Sequence, residues 1–203
     1  MQHFIEAYNE VVSPSDCQKI IEYFESQEDR HHKGCYAVDG NPIVNPSVKD
    51  STDILMNLTV DNDCSNILVP VINQCTELYR EKYRSVDIIS SWSADPQYNI
   101  QRYFPNQGYH ATHCEDSSPD TNRVMGWSLY LNTITDGGST VFPEYQVKID
   151  AEAGKFVIFP AYWTHTHHGI PSPTQTKYII TGWYTYLEDF PIIEDTSFVN
   201  SSW

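Results

Sequence analysis

From residue 90 onward the chain is written in short segments, and that texture limits its fold more than any single motif. Apolar and polar residues alternate over a few positions, and turn residues end each run: Pro105-Asn106-Gln107-Gly108, residues 116–121, Asp136-Gly137-Gly138, Ala153-Gly154 and residues 171–176. Runs bounded in this way read as strands. They fall at Tyr98–Phe104, Tyr109–His113, Val124–Asn132, Thr140–Phe142, Val147–Ile149, Lys155–Phe159, His165–His168 and Lys177–Tyr186. Many short strands with regular turns predict an all-β barrel or a double-sheet jelly roll. The aromatic content, 13% with 14 Tyr and 5 Trp, points the same way.

The first 90 residues have a different period. Ser13-Pro14-Ser15-Asp16 carries a capping residue followed by proline, and Ile20, Ile21 and Phe24 follow at helical spacing, predicting a helix that ends by Gln27. A second helix is expected over residues 65–83, on an apolar face of Ile67, Leu68, Val71, Ile72, Cys75, Leu78 and Tyr79; Pro70 suggests a start one turn later. Between them, residues 28–50 are polar, contain Gly34, Gly40, Pro42 and Pro46, and read as a long loop or a strand with excursions; a loop of that length is often functional. The expected fold is therefore mostly β with N-terminal helices: a jelly roll buttressed by two helices. Residues 1–188 would form one domain, with helical support over 1–90 and a β core over 91–188, followed by a polar tail over 189–203.

Composition narrows the function classes. A formal net charge of −15 gives no global field for a phosphate backbone, so no nucleic-acid partner is expected. No run of about 18 apolar residues is present, and the first residues lack the features of a signal peptide, so a cytoplasmic protein without a membrane partner is expected. Five cysteines without Cys-x-x-Cys spacing read as reduced thiols, Cys114 packing away from its neighbours into the other sheet.

Two clusters carry chemistry. His113-Cys114-Glu115 places an imidazole and a carboxylate two residues apart, hence on one side of a strand. The stretch Trp163–Gly169 adds His165, His167 and His168. One of these would complete a set of two histidines and one carboxylate, which leaves open positions on a non-haem iron. Alternation places His165 and His167 on one face and His168 on the other; it does not choose between them. Asp116 is an alternative ligand only if the strand bulges. A dicarboxylate cosubstrate would further need a buried cation. Lys177, at the head of the strand Lys177–Tyr186, suits that role better than Arg102 or Arg123.

These residues resemble the prolyl 4-hydroxylase-like branch of the Fe(II)/2-oxoglutarate dioxygenases. The resemblance covers residues 98–186: the run Tyr103-Phe104-Pro105-Asn106-Gln107-Gly108-Tyr109, the pair His113 and Glu115, Tyr130-Leu131-Asn132, the Gly-Gly-x-Thr-x-Phe-Pro run over 137–143, and His167, Pro171 and Lys177 in register. It departs at Glu115, where most of the family has Asp. The register favours His167 as the distal ligand, with His168 next and His165 last. The resemblance implies a double-stranded β-helix of the cupin-like kind, with Fe(II) held by His113, Glu115 and His167. It implies 2-oxoglutarate held by Lys177, with Tyr130, Tyr103 and Thr181 beside it, O₂ as oxidant and ascorbate as an accessory reductant. The implied reaction hydroxylates a C–H bond, first of all on a prolyl residue of a peptide or protein, with release of succinate and CO₂. Residues 28–50 and 116–122 are expected as lids, with Tyr36, Asp39, Asp116 and Asp120 facing the substrate. The alternatives are a small-molecule substrate, or a cupin-like metal-binding jelly roll without this activity.

Overall fold

The computed structural model describes residues 2–38, 41–60, 62–116 and 122–187; Asp39, Asp120 and the tail expected over 189–203 lie outside them. In chain order the elements are β1 (Glu6–Tyr8), α1 (Pro14–Ser26), β2 (His32–Lys33), β3 (Tyr36–Val38), β4 (Asn41–Ile43), β5 (Thr52–Asn57), α2 (Asp63–Lys82), β6 (Trp92–Tyr103), β7 (Arg123–Tyr130), β8 (Thr140–Phe142), β9 (Val147–Ile149), β10 (Phe156–Pro160), β11 (His168–Gly169) and β12 (Lys177–Tyr186). Seven strands form an antiparallel sheet in the order β1-β10-β7-β12-β6-β5-β2, and three form a smaller sheet, β11-β8-β9. This is a jelly roll buttressed by two helices.

Alternation divides the large sheet between two cores. On one face, Met125, Trp127 and Leu129 of β7, Phe156 and Ile158 of β10, and Ile180 and Tyr184 of β12 are buried against Phe24 of α1 and Leu68, Ile72 and Cys75 of α2. On the other, Tyr130, Val157, Phe159 and Ile179 meet Phe142 of the small sheet. Each fully buried aliphatic or aromatic side chain contributes about 1.5–3 kcal/mol relative to exposure, so both interfaces hold the barrel shut. The hydroxyl of Ser13 caps α1 by accepting from the Asp16 amide, and Asn62 does the same for α2 toward Ser65.

Several elements differ from the sequence reading. Pro70 lies inside α2, which starts two residues earlier than the apolar face suggested; Asn62 supplies the cap, and Pro70, at the eighth helical position, costs the helix one interior backbone donor. Residues 109–113 and 165–167 are not strands: they contribute only isolated bridges, Tyr109 opposite Lys49 and His113 opposite His167, and residues 163–165 form a 3₁₀ turn. Strands β1 and β5 were not anticipated. β5 leaves the long loop to pair with β6 in register from Thr52–Arg102 to Asn57–Gln97.

Candidate active site

The bridge between His113 and His167 is the frame of the site. Each backbone amide donates to the other residue's carbonyl, at 3.0 and 2.8 Å. Both rings are further fixed from behind: His113 Nδ1 lies 3.0 Å from the Ala111 carbonyl, and His167 Nδ1 lies 3.0 Å from the His165 carbonyl. A ring held in this way donates from Nδ1 and turns a bare Nε2 inward, as metal-binding histidines do. Glu115 completes the face. Its Oε1 lies 3.2 Å from His167 Nε2 and 3.8 Å from His113 Nε2, and the three ligand atoms lie within 4.8 Å of one another. The other two histidines of the cluster point elsewhere. His165 is buried against Tyr145 and reaches the carbonyl of His3, and His168 turns toward Thr112.

Sequence reasoning placed Trp183 on the same strand face as Lys177 and Thr181, but it did not anticipate the contacts that hold this metal face. Tyr109 stacks on His113 at 3.7 Å, 11° from parallel. The indole N–H of Trp183 donates to Glu115 Oε2 at 2.6 Å, and the Arg123 guanidinium donates to the Glu115 carbonyl while lying 3.8 Å over the Trp183 ring. Gly126 gives the longer glutamate its room: a Cβ there would sit 3.1 Å from Glu115 Cγ and 2.8 Å from the Phe159 ring. Burial alone would raise the Glu115 carboxyl; a cation held on the facing imidazoles, first of all a proton on His167, together with the Arg123 guanidinium, outweighs that and holds it well below the usual carboxylate range. Burial, with the neighbouring His167, pushes His113 down to about 4, so its imidazole is neutral and ready to ligate.

The face opens on a cavity of about 620 Å³. Lys177, Ile179, Thr181 and Trp183, alternate residues of β12, form one wall. The Lys177 ammonium is 7% exposed and donates to the Gly138 carbonyl at 3.1 Å. Gly138 presents that carbonyl from a left-handed turn (φ +73°) that glycine adopts freely. Among the described residues no carboxylate pairs with Lys177, and burial lowers its pKa to about 8. The rival cations are committed: Arg102 grips Glu25 at 2.7 and 2.8 Å, and Arg123 sits against Glu115 and Trp183. Tyr103 lines the cavity with its ring 4.9 Å from the Lys177 nitrogen. Tyr130 is buried behind the wall, its hydroxyl 2.6 Å from that of Thr140, which does line the cavity. Cys114, expected to pack away from the site, borders the cavity instead, because residues 113–115 run as an irregular segment and not as a strand. From the long loop, Tyr36, Val48 and Lys49 also reach the cavity.

Two imidazole nitrogens and a carboxylate, beside a buried cation without a carboxylate partner among the described residues, are the donor types that suit a non-haem iron and a dicarboxylate cosubstrate. Residues 98–185 match the family described as the 2OG-Fe(II) oxygenase superfamily. The matched stretch takes in His113, Glu115, His167 and Lys177. It is 23% identical over 206 residues to a protein of Acanthamoeba polyphaga mimivirus provisionally named prolyl 4-hydroxylase, covering 87% of this chain and 72% of the relative. Its fold is similar to that of a Trichoplax adhaerens prolyl hydroxylase solved with a hypoxia-inducible factor peptide fragment (16% identity, TM-score 0.69, 91% of this chain and 84% of the other). It is also similar to a viral collagen prolyl hydroxylase from Paramecium Bursaria Chlorella virus-1 solved with 2-oxoglutarate (18% identity, TM-score 0.56, 91% and 97%). Among the described residues no helix is long and apolar enough to cross a membrane.

Proposed function

We propose that residues 1–188 act as one catalytic domain that hydroxylates a prolyl residue in a peptide or protein, releasing succinate and CO₂. His113, Glu115 and His167 hold Fe(II), and Lys177 and Thr181 hold 2-oxoglutarate, with the rings of Tyr103 and, through Thr140, Tyr130 closing its end of the cavity. The bound iron and cosubstrate supply the activation of O₂ and the oxidation of the substrate C–H bond. The chain supplies orientation and dryness. The Nδ1 hydrogen bonds keep both imidazoles aimed at the ion, the Trp183 indole fixes the carboxylate, and the Lys177 ammonium neutralises the far carboxylate of the cosubstrate. Tyr36, Tyr109 and Trp183 give the mouth of the cavity an aromatic lining that suits a pyrrolidine ring. The segment 28–50, whose Tyr36, Val48 and Lys49 line the cavity, is read as a substrate-side loop; the second expected lid, 116–122, lies outside the described residues over 117–121, and the free thiols of all five cysteines support a cytoplasmic setting.

The observation that carries this reading is Lys177. A metal-binding jelly roll without a dicarboxylate cosubstrate has no use for a buried, unneutralised ammonium beside its metal face, and it would bear the cost of burying one. The test is anaerobic titration of Fe(II) and 2-oxoglutarate, following the metal-to-ligand charge-transfer band, on the wild-type protein and Lys177→Ala. The band should form, and the variant should lose roughly 10- to 100-fold in 2-oxoglutarate affinity, the usual worth of a charge-assisted pair. Iron binding without the band would leave the cupin-like metal-binding protein as the better account. Succinate release stimulated by proline-containing peptides tests the substrate; stimulation by small molecules alone would remove the prolyl assignment.

A further inference from the structure

Behind the cosubstrate end of the cavity lies a buried polar network that the reading above does not use. Lys49 and Asp53 are 5% and 2% exposed, and their side chains meet at 2.6 Å. The same Asp53 oxygen accepts from the Gln101 amide nitrogen at 3.4 Å, and the other end of that amide, Gln101 Oε1, lies 3.1 Å from the Tyr103 hydroxyl. Lys49, Gln101 and Tyr103 all line the cavity. Each link restricts the next. A carboxylate in a close buried ion pair is ionised and only accepts. The Gln101 group facing it must therefore be the NH₂; the flipped amide would set a carbonyl oxygen against a carboxylate oxygen. The Gln101 oxygen is thereby turned to Tyr103, and since it can only accept, the phenol must donate.

We propose that the Lys49–Asp53 pair, acting through Gln101, holds the hydroxyl proton of Tyr103 away from the cavity, making Gln101 a positioning residue for the cosubstrate end of the site. This rests on the 2-oxoglutarate reading above. A carboxylate arriving there meets the lone pairs of Tyr103, and its charge is left to Lys177. The raised pKa of Tyr103, from burial first and the Asp53 charge second, agrees with a phenol that keeps its proton beside an anion. Removing the Gln101 acceptor would free that proton to reach the cosubstrate.

The experiment has two arms. The first needs no ligand: the infrared phenol C–O stretch of Tyr103, isolated by difference against Tyr103→Phe, in the wild type and in Gln101→Leu. It should report a donating hydroxyl in the wild type and lose that signature in Gln101→Leu. A wild-type phenol that does not donate overturns the proposal, whatever binds in the cavity. The second arm is the affinity for 2-oxoglutarate in the presence of Fe(II). Gln101→Leu should bind it roughly 10-fold more tightly or better, the worth of one hydrogen bond to a charged group. Gln101→Leu/Tyr103→Phe should lose that gain. Weaker or unchanged binding in Gln101→Leu, in protein that melts as the wild type does, overturns the proposal; Gln101→Met provides the same comparison should the leucine variant not fold. Absence of 2-oxoglutarate binding in the wild type counts against the functional reading, and the first arm still decides the position of the proton.

Discussion

Glu115 shows how one methylene is accommodated. In the proposed metal set a glutamate reaches farther than an aspartate would, and a longer arm has more ways to miss an ion. Three contacts narrow its choices: the Trp183 indole on Oε2, the Arg123 guanidinium on its carbonyl, and the open space over Gly126. Trp183→Phe keeps the ring and removes the donor. It should weaken Fe(II) or Co(II) binding roughly 10-fold or more, the usual effect of losing a hydrogen bond to a metal-binding carboxylate. Metal titration by calorimetry measures this, and unchanged affinity would show that the indole only fills space. At this scale the sequence was informative where the chemistry follows one strand. The spacing of His113 and Glu115, and of Lys177, Thr181 and Trp183, was readable because i and i+2 share a face. The Trp183–Glu115 and Tyr109–His113 contacts were not readable, since they depend on how separate segments cross.

The strand β7 bears load on both faces, with Trp127 against the helices and Gly126 beneath the metal face. Neighbouring residues thus tie the helical core to the site. Gly126→Ala would press its methyl group into the Phe159 ring on one side and Glu115 on the other. We expect about 1–3 kcal/mol of lost stability from overpacking, together with a loss of metal affinity that exceeds any loss seen in a variant destabilised equally through the helical core. Thermal melting beside metal titration separates the two effects. The elements themselves were legible where local pattern and tertiary demand agree: β8, β9 and β12 have the bounds their alternation suggests. Residues 165–168 failed that test because a 3₁₀ turn lies where an unbroken strand was expected. That turn sends the His165 side chain toward the N-terminal segment, while leaving its carbonyl to orient His167. Strand β5 escaped notice because its partner, β6, is remote in sequence, so nothing local marks the pairing.

On the scale of the whole molecule, the fold spends stability to keep the cavity ready. Lys177 is charged at neutral pH although burial lowers its pKa from 10.5 to about 8. Between those two values the unfolded chain binds a proton that the folded chain does not, so stability from this group rises with pH across the window, and below about pH 8 the full deficit is present. A gap of that size corresponds to roughly 3 kcal/mol, from which about 1 kcal/mol is subtracted for the Gly138 carbonyl that a neutral replacement leaves without its donor. Lys177→Met should therefore melt roughly 5 °C above the wild type at pH 7 in the absence of ligand, and the difference should shrink as the pH approaches 10. Fe(II) with 2-oxoglutarate should reverse the order. Ligand that binds only the folded state at about 100 times its dissociation constant adds roughly 2.7 kcal/mol, and the methionine variant should gain only what iron alone provides. Differential scanning fluorimetry under anaerobic conditions, across pH and with each ligand, gives the full comparison. A Lys177→Met protein that melts below the wild type at pH 7 would mean that the ammonium stabilises the apo fold, and the argument from an unneutralised buried charge to a carboxylate ligand would fail with it.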